Sequence, residues 1–136
     1  MRGLASVFRA LSDETRLQML GLLLREGELC VCDFVEVLAV TQSKASRHLA
    51  TLKHAGLVTD RRDGLWSHYA LRPAEDGLAK THLALLRRSL ADRPDAASLL
   101  KKLHDCLDGK DHGAACAKGA TFAAQTTTKR HAGSSR

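Results

Sequence analysis

The sequence predicts a mainly α-helical domain with one small β-hairpin, and three observations support this fold class. Apolar residues recur at helical spacing through most of residues 4–107. Residues 57–71 instead alternate apolar and polar side chains around an Asp-Gly pair, which is the pattern of a hairpin. The helix predicted before this hairpin, TQSKASRHLATLKHAG, carries amides, hydroxyls and cations on one face. The other predicted elements are arranged around that helix.

The central helix is predicted between Thr41 and Gly56. The Thr41 hydroxyl can accept a hydrogen bond from a backbone N–H of the first turn, as N-cap residues do. Ala45, Leu49 and Leu52 share one face of the helix and form the apolar stripe that a globular fold buries. Gly56 stands where a left-handed residue ends many helices. We therefore expect one amphipathic helix with a buried face and a polar face.

The polar face of this helix has the side-chain types that read DNA bases in the major groove. Glutamine can bond bidentately to adenine and arginine to guanine, whereas serine reaches phosphates or base edges. A merely solvated helix face is the alternative interpretation of the same composition. The predicted DNA contacts on this face are Gln42, Ser43, Lys44, Ser46, Arg47 and His48.

A basic hairpin is predicted directly after the helix. Residues 57–60 and 65–71 are the expected strands, and Asp63-Gly64 is a tight-turn signal between them. Arg61 and Arg62 are then expected at the hairpin tip, where cations can contact a minor groove or the phosphate backbone. A helix that ends in glycine and precedes a basic hairpin is the layout of a winged helix-turn-helix. Double-stranded operator DNA is therefore the expected partner.

Three helices are predicted before the central helix. Leu4–Leu11 is short and amphipathic, and Ser12 is the expected N-cap of a second helix that ends at Gly27. Cys30–Leu38 is a third, short helix. This third helix and the central helix form the predicted helix-turn-helix.

Two further helices are predicted after the hairpin. Glu75–Ala91 has more leucines than a peripheral helix of a small domain requires, so together with Leu4–Leu11 it is the expected interface of a two-fold homodimer. Ordinary core packing is the alternative for these leucines. Ala96–Leu107 is the last predicted helix. The predicted divisions are a winged helix-turn-helix and dimerisation domain at 1–92, a C-terminal helix at 93–108 and a disordered tail at 109–136.

The basic charge of the chain is concentrated on the predicted DNA-reading unit. The net charge is +6, and residues 41–72 hold six lysines and arginines against two aspartates. Residues 109–136 hold five such cations against one aspartate. This distribution predicts a polyanionic partner. No apolar run approaches about 18 residues, so we expect no membrane partner and a cytoplasmic protein whose four cysteines are reduced.

The sequence resembles the ArsR/SmtB family of winged-helix metalloregulatory repressors over about residues 4–72. Four segments carry the resemblance: FRALSDETRLQMLGLLL, ELCVCDF, TQSKASRHLATLKHAGLV and DRRDGLWSHYAL. The resemblance implies a homodimer that binds operator DNA and leaves it when a metal or metalloid binds. It also implies a transcriptional repressor rather than an enzyme.

Two cysteines near the start of the third helix are the candidate effector ligands. Cys30 and Cys32 are two residues apart, so on a regular α-helix their side chains point about 200° away from each other. If both thiolates bind one centre, the start of that helix has to be unwound or distorted. Thiolates select soft centres such as Cu(I), zinc and, by the same argument, trivalent arsenic or antimony. As(III) or Sb(III) is therefore the expected inducer, with no organic cofactor.

The resemblance leaves the third ligand of this site open. Arsenical repressors of the family commonly carry a further cysteine three residues after the second, where this chain has Val35. Cadmium- and lead-sensing relatives complete the site from an N-terminal arm, but no cysteine precedes Cys30 here. The third ligand is expected from Cys106, Cys116, a histidine or a small thiol. Cys116 is preferred, because it lies in a glycine- and alanine-rich segment that can move to the site at only a modest entropic cost of loop closure.

Other functions of the same residues stay open as alternatives. His104, Cys106, His112 and Cys116 could hold zinc by themselves, although their spacing fits no standard zinc finger. A redox-responsive repressor would pair an N-terminal with a C-terminal cysteine, and a cadmium- or lead-responsive repressor would use the same fold. A thiol-based arsenical-binding protein or a thiol enzyme is a different class. No nucleophile elbow, phosphate loop or paired carboxylates in the sequence support an enzyme.

Overall fold

The computed structural model of the chain describes residues 1–73 and 77–109. The helices in these ranges are α1 (Arg2–Leu11), α2 (Glu14–Glu26), α3 (Val31–Leu38), α4 (Gln42–His54), α5 (Gly77–Ala91) and α6 (Pro94–Gly109). The strands are β1 (Glu28–Cys30), β2 (Val58–Asp63) and β3 (Trp66–Leu71). The predicted disordered tail lies outside the described residues from residue 110 onward, together with His112 and Cys116.

The helices bury their apolar faces in one main core. Phe34 of α3, Met19 and Leu20 of α2, and Leu49 and Leu52 of α4 are fully buried there. Burial of each such side chain contributes about 1.5–3 kcal/mol to stability. Because α2 and α3 both contact α4 on its inner side, the opposite side of α4 is left at the surface.

Both ends of α4 are fixed as the sequence predicts. The Thr41 side chain accepts a hydrogen bond from the backbone N–H three residues later at 3.2 Å, which confirms the N-cap. At the other end Gly56 has a φ of 80°, and its N–H donates to the Lys53 carbonyl. The Leu57 N–H donates to the Leu52 carbonyl. These two bonds form a Schellman motif, whose left-handed residue is most easily a glycine.

The N-cap of α2 is Asp13 and not Ser12, so that prediction is wrong. The Asp13 carboxylate accepts a hydrogen bond from the Arg16 N–H at 3.0 Å. Ser12 instead closes α1, where its hydroxyl donates to the Arg9 carbonyl at 2.8 Å. Because Ser12 is already the C-cap of α1, the next residue takes the N-cap position of α2.

The sheet contains a strand that the sequence pattern does not predict. β1 pairs antiparallel with β3, and β3 pairs antiparallel with β2, so the sheet order is β1-β3-β2. Cys30 is the last residue of β1, opposite His68, and α3 therefore begins at Val31 rather than at Cys30. Three residues carry too little local pattern to be recognised as a strand, because β-structure depends strongly on the neighbouring strand.

The wing consists of β2, β3 and their turn, and its first strand extends further along the chain than predicted. Asp63 pairs with Trp66, which leaves a two-residue turn that starts at Gly64 with a φ of 65°. Arg61 and Arg62 therefore lie within β2, opposite residues of β3, and the prediction that they form the hairpin tip is wrong. The physical reason is that backbone pairing with β3 continues through both arginines up to the turn.

The last two helices also contribute to the core. Leu86 of α5 is buried, and Leu103 of α6 is fully buried where α6 packs against α2 and α3. Residues 92 and 93 form the short link between α5 and α6. Among the residues that the structure describes, no helix is long and apolar enough to cross a membrane.

Replacement of Leu103 tests whether α6 stabilises the fold. We expect Leu103→Ala to lower the free energy of unfolding by about 2–5 kcal/mol, because the substitution leaves a cavity in the core. Lys102→Ala, on the exposed side of the same helix, is the control and should change that free energy by less than about 0.5 kcal/mol. Urea denaturation of both variants measures the difference. Equal stabilities would contradict the packing of α6 described here.

Candidate nucleic-acid interface and thiol site

The outer face of α4 presents polar and basic side chains to solvent. Ser43, Lys44, Ser46 and Arg47 are exposed, and Gln42 is partly exposed. The apolar stripe on the opposite face is fully buried, so these side chains can meet a DNA groove without any change in the core. The structure thus places five of the six predicted contacts of this helix on its solvent side.

The sixth predicted contact, His48, faces a neighbouring helix. Its side chain is only 14% exposed, and Arg16 Nη1 of α2 donates a hydrogen bond to His48 Nδ1 at 3.1 Å. Burial lowers the pKa of His48, the carboxylate of Asp13 opposes that shift, and the charge of Arg16 adds to it. His48 is therefore part of a contact between helices.

The two arginines of the wing are held in different ways. Arg61 forms a bidentate ion pair with Glu28 of β1, with N–O distances of 2.9 and 2.7 Å. The hydrogen bond from Arg61 lowers the pKa of Glu28. Arg62 Nη1 donates to Ser67 Oγ at 3.3 Å, and the Arg62 side chain stays exposed. Arg62 is therefore better placed than Arg61 to contact a phosphate.

The structure brings the two predicted effector ligands together. The Cys32 thiol lies 2.9 Å from the Cys30 sulphur, and the two residues are 6% and 1% exposed. Cys30 has extended backbone angles (φ −79°, ψ 155°), whereas Cys32 lies in the first turn of α3. Because Cys30 precedes the helix, the opposed directions expected on a regular helix do not apply. No unwinding of α3 is needed for both sulphurs to meet.

Cys30 also begins α3 as its N-cap. Its sulphur accepts a hydrogen bond from the Asp33 N–H, and the Asp33 carboxylate accepts one from the Cys30 N–H at 2.9 Å. This reciprocal pair is a capping box in which sulphur takes the place of the usual hydroxyl oxygen. An atom suited to bind a soft ion is therefore also the atom that fixes the start of α3.

The two sulphurs have apolar neighbours, and α3, which begins beside them, packs against α6. Val31 of α3 and Trp66 of the wing pack against Cys30 and Cys32. Burial raises the pKa of the Cys106 thiol in α6, and the charge of Asp33 raises it further. Within the part of the chain that the structure describes, no group of three or more Cys, His, Asp or Glu side chains could hold a metal ion. Cys106 thus lies near Asp33 without completing a three-ligand cluster.

The possible zinc set near the C-terminus is only partly described. His104 Nε2 lies 2.8 Å from Glu26 Oε2, so this histidine joins α6 to α2. Cys106, two residues later, is partly buried. His112 and Cys116 lie outside the described residues, and the independent zinc site therefore stays a prediction.

Three contributions to the site were not predicted from the sequence, and only one of them had a local signal. Trp66 approaches the cysteines only because β1 pairs with β3. Arg16 has no local signal for its contact with His48, which lies 32 residues later in the chain. The cap by Asp33 did have a signal, because capping boxes place an acidic or amide side chain three residues after the N-cap.

The fold and the outer face of α4 are those of winged helix-turn-helix regulators. The chain belongs to the ArsR family of bacterial regulatory proteins, whose sequence profile matches residues 13–60. The arsenical resistance operon repressor of Bacillus subtilis is 43% identical over 82 residues, which are 60% of this chain and 78% of that protein. The solved structure of HlyU from Vibrio cholerae matches with a TM-score of 0.57 and 32% identity, and the match covers 67% of this chain and 95% of HlyU. These matches confirm the predicted fold class and family.

A further relative is similar over a shorter part of its length. The arsenic resistance transcriptional regulator ArsR1 of Pseudomonas putida is 52% identical over 67 residues, which are 49% of this chain. The chain spans only 52% of the length of that protein. The family and these relatives are transcriptional regulators rather than enzymes, as the sequence predicts.

The sulphur cap of α3 can be tested with two substitutions of Cys30. Cys30→Ser keeps an acceptor, and serine is a preferred N-cap residue, whereas Cys30→Ala removes the acceptor. We expect Cys30→Ala to be less stable than Cys30→Ser by about 0.5–2 kcal/mol. Urea denaturation under reducing conditions measures this difference. If the two variants are equally stable, the sulphur does not act as a cap.

Proposed function

We propose that the protein is a cytoplasmic, homodimeric transcriptional repressor that binds double-stranded operator DNA and dissociates when As(III) or Sb(III) binds its cysteine thiolates. The observation that carries this proposal is the pair of Cys30 and Cys32 sulphurs, which lie 2.9 Å apart at the start of α3. α3 packs directly against α4, whose outer face has the side chains that read DNA. A site for a soft ion and a DNA-reading helix are therefore neighbours.

The geometry of α4 and the wing supports DNA binding. In this proposal the N-terminal half of α4 enters the major groove, where the exposed Arg47 contacts a base edge. Arg62 of the wing contacts the phosphate backbone beside it. Lys53 of α4 forms an ion pair with Asp60 of β2 at 3.0 Å, which links the recognition helix to the wing.

Two exposed apolar side chains support a homodimer built on α1 and α5. Phe8 of α1 is 55% exposed and Leu85 of α5 is 60% exposed, although both are large and apolar. The rings of Phe8 and His82 meet edge to face at a centroid distance of 5.2 Å, so α1 and α5 form one continuous surface. A second copy of the chain on this surface would give a two-fold dimer, as a palindromic operator requires.

DNA recognition can be tested with sites selected from a random duplex library. We expect the selected sites to be inverted repeats, because a two-fold dimer reads two half-sites. Arg47→Ala should weaken binding to the selected duplex by roughly 1–3 kcal/mol and relax the preference at one base pair of each half-site. Fluorescence anisotropy with selected and random duplexes measures both effects.

Arg62→Ala is the matched control for this experiment. Loss of a phosphate contact should weaken binding to both duplexes alike. It should also reduce the slope of the logarithm of the binding constant against the logarithm of the salt concentration by about one unit per protomer. Equal losses of Arg47→Ala on selected and random DNA would contradict the assignment of α4 as the recognition helix. Selection of single half-sites without symmetry would contradict the dimer.

The donor chemistry of the thiol pair fits a soft effector. Cys30 and Cys32 place two sulphurs at one buried point, and thiolates select soft metals and metalloids over hard cations. Each sulphur–metalloid bond would replace one hydroxide ligand of arsenite or antimonite, and the thiol proton would leave with that hydroxide as water. The bound effector would supply bonds to both sulphurs that compete with the contacts these atoms make in the described structure.

Cys30 connects the thiol pair to both DNA-reading elements. Its sulphur accepts the Asp33 N–H at the start of α3, and it packs against Trp66 of the wing. A coordinated sulphur would be a poorer acceptor for this cap, and its neighbours would have to accommodate the added volume. The start of α3, which packs against α4, and Trp66 beside the turn of the wing are therefore the two places where a bound effector would first shift the structure.

A third sulphur is still needed for a three-coordinate arsenic centre. Cys106 is near Asp33, but it forms no ligand group with the thiol pair within the described part of the chain. We therefore keep Cys116 as the preferred third ligand and Cys106 as the alternative.

Release by arsenite tests the effector site. Cys30→Ser and Cys32→Ser should each keep DNA binding and lose arsenite-induced release. Each removes one sulphur but leaves an acceptor at the cap, which is the new serine in Cys30→Ser and Cys30 itself in Cys32→Ser. One of Cys106→Ser and Cys116→Ser should share this phenotype. Anisotropy of the selected duplex under reducing conditions measures release. Emission of Trp66, the single tryptophan of the chain, reports binding at the pair independently.

Each alternative function predicts a different result in this experiment. Release by cadmium or lead but not by arsenite would assign a different ion to the same fold, and release by peroxide alone would indicate a redox sensor. A change in Trp66 emission without binding to any duplex would indicate an arsenical-binding protein. Normal release by both Cys106→Ser and Cys116→Ser would exclude a third sulphur from the C-terminal region.

A further inference from the structure

Arg16 joins three helices through its guanidinium group. Its Nε donates to the Ala10 carbonyl at 2.8 Å, and its Nη2 donates to the Arg9 carbonyl at 3.3 Å. Both carbonyls lie in the last turn of α1, where the final carbonyls of a helix lack the usual N–H donors four residues later. The Arg9 carbonyl also accepts from the Ser12 N–H and hydroxyl. A cation at this place also complements the negative end of the helix dipole.

The third nitrogen of the Arg16 guanidinium contacts the recognition helix α4. Nη1 donates to His48 Nδ1 at 3.1 Å. The carboxylate of Asp13, the N-cap of α2, lies 3.9 Å from Arg16 Nη1 and 4.0 Å from His48 Nδ1. The end of α1, the start of α2 and the middle of α4 are therefore connected at one point.

The chemistry of this pair defines the protonation state of His48. Arginine has only donors, so His48 Nδ1 must accept, and the neutral ring then carries its proton on Nε2. A protonated ring has no acceptor and would add a second cation beside Arg16. The charged groups that face the ring are Asp13 and Arg16 from α2, and Lys44 and Arg47 from α4. Burial and the three cations lower the pKa of His48 against the opposing effect of Asp13, so the neutral ring is favoured.

The place of His48 on α4 makes this hydrogen bond a constraint on the rotation of the helix. The fully buried Leu49 and Leu52 hold α4 in the core, but hydrophobic contacts are non-directional and tolerate small rotations. A hydrogen bond prefers an angle above about 150° at its hydrogen and weakens steeply below about 120°. His48 lies between the buried stripe and the exposed Arg47, so its bond to Arg16 limits rotation of the part of α4 that carries Arg47.

We propose that His48 is a positioning residue for DNA recognition, whose hydrogen bond with Arg16 sets the orientation of α4 relative to α1 and α2. α1 is also part of the proposed dimer surface, so the same bond relates each recognition helix to the two-fold axis. This inference rests on the proposed DNA-binding function. It replaces the direct base contact that the sequence predicts for His48.

Two substitutions of His48 separate the effect of its hydrogen-bond acceptor on DNA binding from the effect of its bulk. His48→Asn keeps an oxygen acceptor near the place of Nδ1 but cannot be protonated, whereas His48→Leu keeps the bulk without the acceptor. At pH 8 we expect His48→Asn to bind the selected duplex as the wild type does. His48→Leu should bind it about tenfold more weakly, the factor that corresponds to one hydrogen bond with a charged group.

A double variant tests whether Arg16 and His48 act as one unit. Arg16→Met should cause a loss of affinity similar to that of His48→Leu. The double variant Arg16→Met/His48→Leu should then lose no more affinity than either single variant, because both changes remove the same interaction. Losses that add together would overturn the proposal, since they would show two independent contributions to DNA binding.

Acidification separates a positioning role from direct contact with DNA. The ratio of the wild-type Kd to the Kd of His48→Asn should be near one at pH 8 and rise as the pH falls, because only the wild type loses its acceptor on protonation. The other titrating groups are common to both proteins and cancel in this ratio. A direct phosphate contact predicts the opposite trend, because a protonated His48 would then strengthen binding of the wild type.

Arg47→Ala distinguishes failure of this inference from failure of the proposed function. If Arg47→Ala loses discrimination between selected and random DNA while His48→Leu binds normally, the positioning role is wrong and the recognition helix stands. If Arg47→Ala discriminates normally, the proposed recognition helix itself is wrong. Thermal unfolding checks that each variant is folded. If Arg16→Met is unfolded, the pH dependence of the ratio of the wild-type Kd to the Kd of His48→Asn tests the proposal instead.

Discussion

Cys30 and Asp33 exchange hydrogen bonds at the point where β1 ends and α3 begins. Burial of a carboxylate is costly unless it is hydrogen-bonded, and a helix N-terminus supplies both N–H donors and a favourable dipole. β1 is paired with the wing strand β3, and α3 packs against α4. This one cap therefore connects the wing to the helix-turn-helix. The meeting of the Cys30 and Cys32 sulphurs is a consequence, because the cap requires extended backbone at Cys30 immediately before a helical turn.

In addition to its buried apolar stripe, two polar contacts hold α4 in place, and they differ in strength. The ion pair of Lys53 with Asp60 joins α4 to the wing, but the Lys53 side chain is 54% exposed, and exposed pairs contribute only about 0–1 kcal/mol. The contact of Arg16 with His48 is far less exposed and includes two carbonyls of α1. The orientation of the DNA-reading half of α4 therefore depends more on its contact with α1 and α2 than on its contact with the wing.

The pKa of Cys106 bears on the choice between the proposed metalloid response and a redox response. Burial and the charge of Asp33 both raise the pKa of Cys106, so its thiol stays protonated at neutral pH. A redox sensor needs a thiolate, which burial in apolar surroundings disfavours. This argues against Cys106 as the reactive partner of a redox switch. A soft ion makes a different demand, because coordination itself displaces the proton from the sulphur.

The sequence by itself determined the parts of this protein that depend on neighbouring residues. The cap at Thr41, the buried stripe of α4, the left-handed Gly56 and the family could all be predicted, because each is a pattern within a short segment. Only the tertiary structure decided that β1 exists, that Trp66 covers the thiol pair, and that His48 contacts Arg16. Those contacts join segments far apart in the chain, and their energies arise only when packing brings the segments together. The local sequence pattern of one segment therefore does not predict which distant segment it will contact.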